Sequence, residues 1–71
     1  MDVVAEITAN VWQVRVEVGQ HVDEGDELII FESMKMEIPL EAPASGTVVA
    51  IHMAPDDQVK EGDLAITLEV D

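Results

Sequence analysis

Apolar and polar residues alternate along most of this chain with a period of two. Val3, Ala5 and Ile7 fall on one side and Val4, Glu6 and Thr8 on the other, which predicts a strand over 3–8. Ala9-Asn10 is expected to turn the chain. Over 11–18 the alternation is cleaner, with Trp12, Val14, Val16 and Val18 in phase against Gln13, Arg15 and Glu17. Period two marks a half-buried strand, so Trp12 is expected in the core, where an indole buries the most apolar surface. Gly19-Gln20 is a turn, His21-Val22 a short strand, and Asp23-Glu24-Gly25-Asp26 a second turn. The apolar run Leu28 to Phe31 continues to residue 33, and Ile38 to Leu40 follows closely. Two such runs predict a β-hairpin with its tip near Met34-Lys35.

The second half of the chain repeats the first. Val22-Asp23-Glu24-Gly25-Asp26 matches Val59-Lys60-Glu61-Gly62-Asp63 at an offset of 37 residues. At the same offset Trp12, Val14 and Val16 fall on Val49, Ile51 and Met53, and Ile29 and Phe31 on Ile66 and Leu68. Val3, Ala5 and Ala9 fall on Leu40, Ala42 and Gly46. Each copy is a four-strand unit too small to bury its own apolar face. The two must therefore intertwine, as an all-β sandwich or flattened barrel of two four-stranded antiparallel sheets packed face to face. Pseudo-twofold symmetry then places the hairpin tip and the chain ends at opposite poles, because Lys35 shifted by 37 falls just past Asp71.

The tip breaks the rules of hairpin chemistry. Tight two-residue turns need positive φ and select Asn and Gly, whereas Met and Lys carry a Cβ that disfavours it. A local rule broken at one point marks a candidate functional site. Lys35 is one of three basic residues, with Arg15 and Lys60, and a lysine raised on a two-stranded pedestal is suited to covalent modification. An ordinary turn lysine is only solvated, but such a turn has no use for two flanking methionines.

Composition narrows the alternatives. Seventy-one residues make one domain, 1–71, close to the lower limit for a self-sufficient core. With 48% hydrophobic residues the chain is globular rather than disordered. No apolar run is long enough for a membrane-spanning helix, and the N-terminus has no signal-peptide pattern. The absence of cysteine removes disulfides and thiolate chemistry and makes a reducing cytoplasm the simplest compartment. A net charge of −13, from 16 acidic and 3 basic residues, repels nucleic acid and anionic membrane surfaces. Spread along the chain, the acidic residues read as a solvated surface, as steering toward basic partners, or as adaptation to high salt.

No other residues assemble a chemistry. His21 and His52 stand in separate halves without companions at metal-ligand spacing. Asp56-Asp57 with Glu61 and Asp63 lacks the alternation of a calcium loop. The recurrence of Glu24-Gly25-Asp26 in both halves makes it turn geometry rather than a functional acidic pair. Ser33 has no histidine beside it to act as base.

Glu32-Ser33-Met34-Lys35-Met36-Glu37 resembles the biotin attachment motif of the biotinyl/lipoyl-attachment domain family, and is most like the biotin carboxyl carrier proteins. The resemblance covers essentially the whole chain, and the family's flattened barrel agrees with the pattern of strands. It implies that Lys35 carries covalent biotin, that Met34 and Met36 are its flanking methionines, and that Glu37 helps a biotin protein ligase recognise the tip. It further implies a non-catalytic carrier that shuttles a carboxyl group between a biotin carboxylase and a carboxyltransferase. A free lysine amine has a pKa of about 10.4, and Glu32 and Glu37 favour its charged form, so the activating base is expected from the ligase. The chain departs from the family where Asn10 replaces a glycine expected ahead of Val11, where Asp56-Asp57 replaces the glycine turn at Gly19, and in having no insertion for a protruding thumb. Two alternatives stay open: a lipoyl carrier, although lipoyl domains usually have Asp-Lys-Ala at the tip, and an unmodified adaptor of the same fold.

Overall fold

A computed structural model describes all 71 residues. There are eight strands and no helix: β1 (Asp2–Val4), β2 (Ala9–Val14), β3 (His21–Val22), β4 (Glu27–Ser33), β5 (Met36–Glu41), β6 (Gly46–Ile51), β7 (Gln58–Val59) and β8 (Leu64–Val70). They form two four-stranded antiparallel sheets, in the orders β1-β8-β6-β3 and β5-β4-β2-β7. A shift of 37 residues carries β1 to β4 onto β5 to β8 and so exchanges the two sheets. Each sheet holds two strands from each half, which is the intertwining that the repeat predicts.

The backbone obeys the repeat bond by bond. Gly19 N donates to Val48 O at 2.7 Å, and Asp56 N to Val11 O at 2.8 Å. Gly25 N donates to Ala42 O at 2.9 Å, and Gly62 N to Ala5 O at 2.8 Å. Side chains follow: Asp26 Oδ2 accepts from Asp23 N at 2.9 Å and Asp63 Oδ2 from Lys60 N at 2.8 Å. Asp26 and Asp63 thus close their own turns by accepting from the N–H three residues back, a local side-chain-to-backbone bond of the kind that favours aspartate in turns. Asp56 occupies the place of Gly19 with φ 74, against 93 at the glycine. Aspartate tolerates the left-handed region through local hydrogen bonding.

Between the sheets lies one cluster of 16 buried apolar residues, centred on Leu28, Ile29, Phe31, Val48, Ile66 and Leu68. No polar or charged side chain is buried, so the whole charge of the chain sits at the surface.

Two expectations need correction in β2. Trp12 is not in the core; it is 43% exposed. The β2–β4 register shifts between Val11 and Gln13, and such a bulge inserts one residue and reverses the phase beyond it. Val11, at 1% exposure, takes the inward place. The same shift recurs in β6 between Val48 and Ala50, leaving Val48 buried and Val49 as exposed as Trp12. Beyond the bulge β2 ends at Val14, and Val18 is exposed. The second correction concerns Ala9-Asn10, which opens β2 rather than turning the chain; the bend falls at residues 6–8. Asn10 has no left-handed backbone, and Ala9, not Asn10, is the residue equivalent to Gly46.

Candidate functional site: the β4–β5 hairpin tip

Six register pairs join β4 to β5, ending Phe31↔Ile38, Glu32↔Glu37 and Ser33↔Met36. Phe31 is buried and Ile38 half-buried, so the hairpin is anchored in the core to within two pairs of its end. Ser33 and Met36 close a two-residue loop of Met34 and Lys35. Both loop residues have positive φ, 51 at Met34 and 65 at Lys35. Two positive values in succession suit the right-handed twist of the flanking strands. They normally require Asn or Gly, and each such residue with a Cβ costs about 1–2 kcal/mol. Of the six left-handed residues in the chain, the other four are Gly or Asp.

The strained turn holds its side chains in solvent. Met34 is 92% and Met36 62% exposed; Lys35 and Glu37 are also exposed. Lys35 makes no ion pair and no side-chain hydrogen bond: the ion pairs of the molecule are His21 with Asp71 and with Asp23. Glu32 and Glu37 stand opposite one another across the hairpin without closing on the lysine. An exposed primary amine with no competing partner is free to form an amide bond, so the tip fits a covalently attached group.

The symmetry shows how the tip gains its freedom. At the end of β8, Gly46 pairs with Val70, and a Cβ built on Gly46 would lie within van der Waals overlap of Glu69 O and 3.1 Å from Val70 Cα. The equivalent residue, Ala9, does carry a Cβ. There the β2–β4 register begins one pair later, at Asn10↔Glu32, and Ser33 leaves β2 to continue with β5 alone.

The structure does not bring His21 and His52 together. His21 Nε2 lies 2.8 Å from Asp71 Oδ2, and His52 Nε2 lies 2.9 Å from Thr67 Oγ1. Sequence reasoning missed a groove beside the tip, lined by Asn10, Glu32, Met34, Gln58 and Lys60 among others. These residues come from three separate segments, and no local signal in the sequence joins them.

Residues 2–68 match the biotin/lipoyl family described as biotin-requiring enzyme. The chain is 41% identical over 68 residues to the biotin/lipoyl attachment protein of Bacillus subtilis, covering 96% of this chain and 93% of that protein. It is 44% identical over 63 residues to a biotinylated protein TB7.3 homolog of Mycobacterium leprae, covering 89% of each. Among solved structures, the urea carboxylase of Kluyveromyces lactis superposes with a TM-score of 0.91 at 36% identity over 97% of this chain, which spans 6% of that enzyme. By sequence, register and fold alike, the chain belongs to the biotin/lipoyl-attachment domain family.

Proposed function

We propose that the ε-amine of Lys35 is the site of covalent biotin attachment, and that the loaded domain is the carboxyl carrier of a biotin-dependent carboxylase. The observation that carries this reading is the unpaired, exposed lysine on a turn whose two residues both have positive φ. In the loading step the deprotonated amine of Lys35 attacks the acyl carbonyl of biotinyl-adenylate on a biotin protein ligase. A C–N bond forms, the C–O bond to phosphate breaks, AMP leaves, and the nitrogen's proton passes to a base of the ligase. No base on this chain contacts Lys35. Glu37, exposed on β5 next to the tip, is a contact for the ligase, and Met34 and Met36 offer soft, adaptable surface to partners of different shape.

Bound there, biotin supplies a ureido nitrogen that takes up and releases a carboxyl group. The protein supplies position. The anchored hairpin confines the search of the arm to the lysine side chain, so the tether sets a high effective concentration at each site visited. Those sites are a biotin carboxylase and a carboxyltransferase, a reading supported by the likeness to a domain-sized part of a urea carboxylase.

Intact mass after co-expression with a biotin ligase and biotin tests the attachment. One biotinyl addition is expected on the wild type and none on Lys35→Arg. A wild type that stays unmodified, or that takes lipoate from a lipoate ligase in its place, overturns the assignment.

A further inference from the structure

The groove beside the tip is open to solvent and has a volume of about 470 Å³, and its counterpart at the other end of the molecule is bridged by side-chain and backbone bonds. Shifted by 37 residues, Thr8, Met34 and Gln58 of its lining become Ser45, Asp71 and His21. There Asp71 N donates to Ser45 O at 3.1 Å, and Asp71 Oδ2 lies 2.8 Å from His21 Nε2. None of the other three grooves lies at that corner. The fold therefore makes two equivalent corners. One is bridged by a histidine–carboxylate contact. At the other, beside Lys35, methionine and glutamine stand in those places, and the corner is open.

We propose that the open corner is a resting site for the ureido ring carried on Lys35; this rests on Lys35 being the biotinylated residue. A cyclic urea presents two N–H donors and one carbonyl acceptor. The primary amides of Asn10 and Gln58 each offer both donor and acceptor. The Glu32 carboxylate accepts from an N–H, and the Lys60 ammonium donates to the carbonyl. All four line the groove, and Met34 at its edge offers an apolar, polarizable side chain to the ring sulfur and carbons. The reach is right. Glu32 stands three residues back from Lys35, within about 10 Å even if that stretch were fully extended, a distance that a lysine side chain lengthened by a five-carbon acyl chain spans. Seated there, the ring is held on the carrier between visits and must leave the groove to enter a partner's active site.

Fully biotinylated protein, checked by intact mass, is compared with unmodified protein by amide NMR and by its rate of capture by streptavidin. Seating moves the side-chain amide signals of Asn10 and Gln58 and the backbone signals of Val59 and Lys60. Capture depends on the free fraction of the ring. Asn10→Ala/Gln58→Ala, at two exposed positions, therefore speeds capture about threefold if the ring is seated about two thirds of the time. Thr47→Ala, the symmetry mate of the Asn10 change, leaves the rate at the wild-type value. Shifts confined to residues 33–37, with equal capture of all three proteins, overturn the resting site while leaving the attachment intact. A wild type without added mass fails the attachment instead.

Discussion

The ends of β4 and β8 are the same piece of structure used in two ways. They are 37 residues apart and run beside equivalent strands. At the end of β8 the chain is pinned: Val70 pairs with Gly46, and Asp71 bonds both Ser45 and His21. At the end of β4 the chain is released one pair early and runs into a turn of two strained, exposed residues. Symmetry supplied both ends with the same core below them. What differs is a methyl group at Ala9, the left-handed turn at Met34-Lys35, and the loss of the strap. A protein can thus turn one of two equivalent corners into a presentation site without altering the scaffold beneath it.

The largest effect is expected where the pinned end is attacked. A Cβ at Gly46 meets backbone atoms of Glu69 and Val70, not a flexible side-chain end, so neither can yield without moving β8. Gly46→Ala should cost about 2–3 kcal/mol, which lowers the melting temperature of so small a domain by roughly 10–20 °C. If thermal unfolding shows Gly46→Ala within a few degrees of wild type, the close approach of β8 is not what distinguishes the two ends.

A smaller effect of opposite sign is expected at the released end. Met34→Asn places a residue at φ 51 that tolerates the left-handed region, and should stabilise the protein by about 1 kcal/mol. The urea midpoint should rise with an unchanged m-value, while loading by the ligase slows. Stability and loading moving apart would show that the strain at the tip is kept for recognition. Both rising together would show that Met34 is dispensable.

The division between what the residue pattern disclosed and what it hid has a physical basis. The offset of 37, the two sheets and the tip at Met34-Lys35 were all legible, because apolar phase and turn residues are local properties that a repeat doubles. Trp12 was misplaced because a period-two phase cannot register an inserted residue. Its only trace is two adjacent apolar residues, Val11-Trp12, repeated as Val48-Val49. The early release of Ser33 was hidden because it depends on which residue faces which across β2 and β4. The groove was hidden for the same reason: Asn10, Glu32 and Gln58 meet only once the strands are paired.

The smallest expected effect tests the strap itself. The hydrogen bond from His21 to Asp71 holds the His21 pKa above its ordinary 6.5, reinforced by the charge of Asp71 and then of Asp23 and Asp26, while partial desolvation opposes them. Because the folded value is raised, the stabilisation is complete below pH 6.5 and fades as pH rises through the folded midpoint. The pair is exposed, so the change in stability across that window is slight and the titration is the better readout. Asp71→Asn removes the charge of Asp71 and weakens the hydrogen bond it accepts, and the His21 ring-proton midpoint should fall back toward 6.5. Gln58, in the equivalent place beside the tip, has no charge to titrate, so the open corner has no such dependence. A His21 midpoint unmoved by Asp71→Asn would mean that the side-chain contact does not hold the far corner closed, leaving the backbone bonds of Val70 and Asp71 to do so.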